Sequence, residues 1–134
     1  MSYANRIRNM LLWATLGLFV LLMFLPAVAI GGQCVKPDWG AGYVYFFIGP
    51  LGPFEGQFGW FANPLMLFAA LKANRISAIV SVGLVVLTAF TLRSMPTIEP
   101  GNLPVCGFGI AYFAWLTCAI LILISTFMTV GRKG

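Results

Sequence analysis

The chain has 134 residues, of which 60% are hydrophobic and 8% are charged, and its mean hydropathy is +0.95. A water-soluble domain carries about 25% charged residues, so a chain this short and apolar cannot hide its apolar surface in one aqueous core. The sequence has no histidine, which removes the most common general base and zinc ligand and excludes a Ser-His-Asp triad. We therefore expect an integral membrane protein that is not an enzyme and has no cofactor or metal.

The positions of the charged residues predict a membrane topology. Six of the eight basic residues lie before the first long apolar run, between the second and third, or after the last. They are Arg6, Arg8, Lys72, Arg75, Arg132 and Lys133. All three acids fall in the two loops between these places, and they are Asp38, Glu55 and Glu99. Because basic residues concentrate on the cytoplasmic side, the pattern predicts four crossings with both termini inside.

The net charge of +5 does not predict nucleic-acid binding. The excess of positive charge belongs to the topology signal, and the sequence has no Lys/Arg cluster large enough to follow a phosphate backbone. We expect contact with membrane lipid, in a bacterial inner membrane, and no nucleic acid.

The fold that these patterns predict is an all-α integral membrane protein with four transmembrane helices in a single domain, residues 1–134. Each apolar run supplies one helix, since about 20 apolar residues cross the hydrocarbon core. The helices are expected at about 10–30, 58–73, 76–92 and 108–130, and the outer loops at 31–57 and 94–107.

The first outer loop is unusually aromatic and rich in Gly and Pro. Lipid-exposed irregular backbone would leave hydrogen bonds unmet, so the loop is either a cap at the outer interface or a re-entrant segment packed among the helices. A dense aromatic surface of this kind often marks a partner site. The residues expected to bind a membrane partner or lipid are Trp39, Tyr43, Tyr45, Phe46, Phe47, Phe54 and Trp60.

Two of the three cysteines lie near the same predicted membrane surface. Cys34 follows the first apolar run and Cys106 precedes the last, so a disulfide between them is chemically reasonable if that face is oxidising. Free thiols are the alternative. Cys118 lies within the last apolar run and is expected to be a small buried residue.

The block Gly56–Pro64 reads GQFGWFANP. It resembles a G-x-F-x-W-x-A-N-P pattern of small, uncharacterised four-helix inner-membrane proteins of bacteria, a resemblance that implies no activity. Asn63 is a rare amide in an apolar segment and either bonds a neighbouring helix or forms a small polar pocket. Glu55, just before the block, is the second candidate for that pocket.

The function expected from these features is non-catalytic binding. The outer aromatic loop would bind a membrane partner or lipid, as an accessory subunit or an immunity-type protein does, because polar chemistry is scarce within the helices. The alternative is an oligomeric channel or small transporter, a homo-oligomer with a polar site near Asn63.

Overall fold

The computed structural model describes residues 3–96 and 102–130. Within these ranges the chain forms five α-helices, two 3₁₀ segments and four short strands. The 3₁₀ segments are Gly49–Glu55 and Gly59–Phe61. The helices are α1 (Tyr3–Leu22), α2 (Gly42–Ile48), α3 (Ala62–Lys72), α4 (Arg75–Thr91) and α5 (Ile110–Val130).

The four strands form one antiparallel sheet in the order β2-β1-β4-β3. They are β1 (Pro26–Ile30), β2 (Asp38–Ala41), β3 (Ser94–Pro96) and β4 (Asn102–Phe108). Ala29 of β1 pairs with Trp39 on one side and with Gly107 on the other, so β1 is a central strand. Its small apolar side chains are buried against the helices, and the sheet therefore covers one end of the helical layer.

The prediction of an all-α bundle of four transmembrane helices is wrong. The sheet overturns the all-α class, and among the described residues one helix, Ile110–Met128, is long and apolar enough to cross a membrane. The segment expected to be helical at 10–30 ends its helix at Leu22, because Pro26 begins a strand there. The segment expected at 58–73 has only 11 α-helical residues.

Small residues bring the helices close together around α5. Ala62, Ala69 and Ala78 are fully buried on α3 and α4, and Ala119 is fully buried on α5. Such residues let helix backbones approach closely. Helix α5 packs on α1, α3 and α4, whereas α1 has at most marginal contact with α3. A groove therefore opens between α1 and α3.

Two contacts fix α5 against its neighbours. The Cys118 thiol donates to the Thr15 carbonyl of α1 over 3.7 Å, and the Tyr112 hydroxyl donates to the Val85 carbonyl of α4 over 2.8 Å. Strand β1, which follows α1, pairs with β4, which precedes α5, so the two helices are antiparallel and the start of α1 lies beside the end of α5. The sheet lies at the opposite end of the helices.

A disulfide joins Cys34 to Cys106, as the sequence predicts, with 5.5 Å between the Cα atoms. It links the turn between β1 and β2 to β4, so it holds both halves of the sheet. Cys118 is buried and free, which agrees with its expected role.

Loss of this disulfide should destabilise the fold. The bond closes a loop with a sequence separation of 72, for which the chain-entropy relation gives about 4 kcal/mol. The double variant Cys34→Ser with Cys106→Ser should lose this free energy of unfolding, measured by reversible unfolding in mixed micelles. Thr117→Ser, at an exposed position of α5, keeps the disulfide and is the control. An unchanged free energy in the double variant, or three free thiols by intact mass, would contradict the bridge.

Candidate functional site

The aromatic segment, which we define as Gly42–Phe61, is tied to the end of α1. The Gly42 N–H donates to the Leu25 carbonyl over 3.0 Å, and the Tyr43 N–H donates to the Met23 carbonyl over 2.8 Å. A Cβ at Gly42 would meet the Leu22 carbonyl, so only glycine permits this close approach. The start of the segment is thus held against the end of α1 by backbone hydrogen bonds. The segment lies between the sheet and the helical layer.

The predicted aromatic residues divide into two groups. Tyr45, Phe46 and Trp60 are partly buried, and they face the inside of the molecule. The exposed group consists of Trp39, Tyr43, Phe47 and Phe54, the last two with 75% and 87% of their surface exposed.

Hydrogen bonds hold the inward group in place. The Tyr45 hydroxyl donates to the Val28 carbonyl of β1 over 3.3 Å, and the Trp60 indole N–H donates to the Phe46 carbonyl over 2.9 Å. Burial raises the pKa of Tyr45 above its ordinary value of 10, so the phenol keeps the proton that it donates. The Trp60 ring packs directly on the backbone of Gly49, where any side chain would collide with it.

A second tie connects the aromatic segment to α4. The Gln57 side-chain amide donates to the Thr91 carbonyl over 2.8 Å, and the Thr91 hydroxyl donates to Gln57 Oε1 over 3.2 Å. Both polar ends of Gln57 are therefore satisfied within the protein. The segment is braced at α1, β1 and α4.

An inner cavity of about 150 Å³ lies beneath the sheet. The inward aromatic group forms one wall, and α5 contributes Tyr112 and Trp115 to the other. The ring of Phe46 contacts that of Phe19 with 6.0 Å between centroids, at a steep angle that aromatic pairs prefer.

A larger groove of about 670 Å³ runs between α1 and α3. Its floor is α5, through Cys118 and Ile122. The groove and the inner cavity share four lining residues, Phe19, Phe46, Trp60 and Asn63, so the two spaces adjoin. The α1 wall includes Asn9, Leu12, Trp13, Thr15 and Leu16, and the α3 wall includes Pro64, Met66, Leu67, Ala70 and Leu71.

Asn63 is the polar residue at the junction of the two spaces. Its Oδ1 accepts the indole N–H of Trp115 over 2.8 Å, a hydrogen bond between α3 and α5. Its Nδ2 has no hydrogen-bond partner within the described part of the chain. Asn63 therefore joins two helices through one end of its amide, and the other end remains a donor at the junction.

The side chain of Glu55, the other candidate for a polar pocket, lies outside the described part of the chain. Sequence reasoning missed Phe19, Tyr112 and Trp115 as lining residues. The spacing of Tyr112 and Trp115, three positions apart on one helix face, could have indicated a shared aromatic surface. Phe19 gave no such signal, because it lies in a uniformly apolar run.

Among the residues that the structure describes, no group of His, Cys, Asp or Glu is placed to hold a metal ion. Comparison with protein-family models, curated proteins and solved structures finds no match to this chain.

The Asn63–Trp115 hydrogen bond should be measurable as a coupling between α3 and α5. We expect Asn63→Leu and Trp115→Phe to show a coupling energy of about 1 kcal/mol in a double-mutant cycle of unfolding, the size typical of a polar contact between packed helices. Trp13→Phe is the matched control, because Trp13 lines the same groove without bonding Asn63. Additive effects for the Asn63 and Trp115 variants would contradict the bond.

Proposed function

We propose that the protein is a non-catalytic membrane protein that binds the apolar chain of a lipid in the groove between α1 and α3. The observation that supports this most strongly is the groove itself, a space of about 670 Å³ with mainly apolar walls. Ordinary small-molecule sites have volumes of about 300–1,000 Å³ and a few polar groups that orient the ligand. In this groove the orienting polar group is Asn63, which lies at the closed end, where the groove adjoins the inner cavity.

The surface of the helical layer supports a location in the membrane. Helix α5 has a stretch long enough to cross, and only 39% of that stretch is buried within the protein. The other helices also expose large apolar side chains, among them Leu16, Val20, Leu67, Phe68, Ile79 and Phe90. A soluble monomer rarely exposes a contiguous apolar surface of this extent, whereas lipid acyl chains would cover it without cost.

The two ends of the molecule suit the two sides of a membrane. The sheet end has the disulfide, which forms in oxidising compartments, and it has the exposed acid Asp38 beside two basic residues, Lys36 and Arg93, against four basic residues at the opposite end. The opposite end has the basic residues at the start of α1 and at the α3–α4 turn. We propose a bacterial inner membrane with the sheet on its outer face, where positive charge is depleted.

The described side chains near the groove and the inner cavity that could take part in acid–base chemistry are held in structural hydrogen bonds, which supports a binding role. Cys118 is a single buried thiol that donates to a backbone carbonyl, and Tyr45 donates to another. Neither has a titratable partner among the described residues that could take or supply a proton, as general acid–base catalysis needs.

Filling the groove should displace the lipid chain. Ala70→Phe places a ring between the walls, and we expect roughly tenfold weaker retention of bound phospholipid, since at least about 1.4 kcal/mol of contact is lost. The measurement is native mass spectrometry of the full chain released from mild detergent. Ala14→Phe, on the exposed face of α1, is the control and should retain lipid. Equal retention by both variants would contradict the proposal.

A second candidate function rests on the exposed aromatic group. Phe47 and Phe54 expose most of their surface on a segment that hydrogen bonds hold fixed, and rigid aromatic residues are typical anchors of protein interfaces. This observation favours a membrane-protein partner, as for an accessory subunit or an immunity-type protein.

Crosslinking in the native membrane tests this second candidate. A photoreactive phenylalanine analogue at Phe54 should give one discrete adduct with another protein. The same analogue at Phe90, which is similarly exposed on α4, should give only lipid adducts. Lipid adducts alone at both positions would exclude the partner surface.

The oligomeric channel or small transporter stays a prediction without specific support. The hydroxyls of Thr15, Ser81 and Thr126 are buried within one molecule and donate to carbonyls of their own helices. They therefore form no polar stripe on an outer face.

A further inference from the structure

The charge at the open end of the groove suggests what kind of lipid it holds. Helix α1 begins there, α3 ends there and α4 begins there, and these helix ends have the basic residues Arg6, Arg8, Lys72 and Arg75. The three acids of the sequence lie in other segments, at positions 38, 55 and 99. This end therefore has a concentrated positive charge, and Asp38, the acid whose side chain the structure describes, lies in the sheet at the other end.

Arg8 is the basic residue closest to the groove by its position on α1. Leu12, Thr15 and Phe19 line the groove and follow Arg8 at spacings of four, seven and eleven, so all four residues lie on one helix face. Asn9, the next residue along the chain, also lines the groove. Arg8 therefore lies at the open end, one residue before Asn9.

The Nε of Arg8 is buried and has no hydrogen-bond partner in the described residues. The protein itself covers this Nε, so the terminal nitrogens of the same guanidinium, which are not buried, are the donors that a ligand oxygen can reach. Arg75 differs, although its Nε also lacks a partner, because its guanidinium lies 4.6 Å from the centre of the Phe127 ring. Arg8 has no such ring contact among the residues that the structure describes.

The length of the groove matches one lipid tail. From Asn9 to Phe19 the α1 wall advances ten residues, or about 15 Å, which is half of the ~30 Å hydrocarbon core. A tail that enters beside Asn9 would thus extend about 15 Å along α1, as far as Phe46 and Trp60, and its headgroup would remain beside Arg8.

We propose that the groove is a site for an anionic phospholipid whose phosphate is bound by the Arg8 guanidinium and whose acyl chain lies between α1 and α3. This inference rests on the proposed lipid-binding function and adds the headgroup class. Lys72 and Arg75 attract the anionic headgroup from the other side of the groove end, since each basic side chain near a surface adds attraction for anionic lipid. A phospholipid would occupy both the groove, with its acyl chain, and the basic end, with its phosphate. Free phosphate would bind at the basic end alone.

The test compares phosphatidylglycerol with phosphatidylcholine of identical acyl chains, each added to the full chain in mild detergent and followed by native mass spectrometry. We expect the wild type to prefer phosphatidylglycerol roughly fivefold, the gain that one surface cation gives. Arg8→Gln should abolish the preference and still bind phosphatidylcholine. The matched control Arg6→Gln removes the same charge from an exposed position and should keep the preference.

A second variant keeps Arg8 in place, in case Arg8→Gln does not fold. Asn5 is exposed and lies three residues before Arg8, so Asn5→Glu offers the guanidinium a carboxylate within the helix. This variant should lower the preference for phosphatidylglycerol, whereas Asn5→Gln should not. Inorganic phosphate alone should give no stable adduct and should not displace the lipid.

Several results would overturn the headgroup assignment and leave the proposed function intact. The first is equal binding of the two lipids by the wild type. The second is an equal loss of the preference for phosphatidylglycerol in the Arg6→Gln and Arg8→Gln variants. The third is displacement of the bound lipid by inorganic phosphate. Absence of binding by either lipid, or Ala70→Phe binding both as the wild type does, would instead overturn the proposed function together with this inference.

Discussion

The packing of α5 is the constraint on which the other features depend. It contacts α1, α3 and α4 through small residues, and its thiol and phenol bind carbonyls on α1 and α4. Of the three long helices α3, α4 and α5, α1 packs extensively only on α5, so the space beside α1 is not closed by α3. The groove is thus a consequence of α3 and α4 packing on α5 and on each other, while α1 packs on α5 and not on α3.

The sheet and the aromatic segment close the other end of this space. Strand β1 begins only four residues after α1 ends, and the disulfide holds its turn to β4. The aromatic segment returns beneath the sheet and places Phe46 and Trp60 at the closed end of the groove. Asn63 and its bond to Trp115 put one polar group there. A molecule bound in the groove would therefore contact apolar walls, with basic side chains near one end and the Asn63 amide at the other.

The sequence predicts some of this arrangement and not the rest. Helix α4 lies within one residue of its expected bounds at each end, since its apolar run has charged residues on both sides. The Cys34–Cys106 pair is also predicted, because both residues lie at ends of apolar runs. Strand β1, with the sequence PAVAI, could not be distinguished from the last turns of a helix, since a short apolar run has no diagnostic period. The groove was not predictable, because it depends on a contact that α1 does not make.

An experimental structure in nanodiscs of mixed phosphatidylglycerol and phosphatidylcholine tests the central claim most directly. The account predicts elongated density between α1 and α3, in contact with Leu16, Leu67 and Ala70, with its headgroup beside Arg8. Direct packing of α1 on α3, with no space between them, would contradict it.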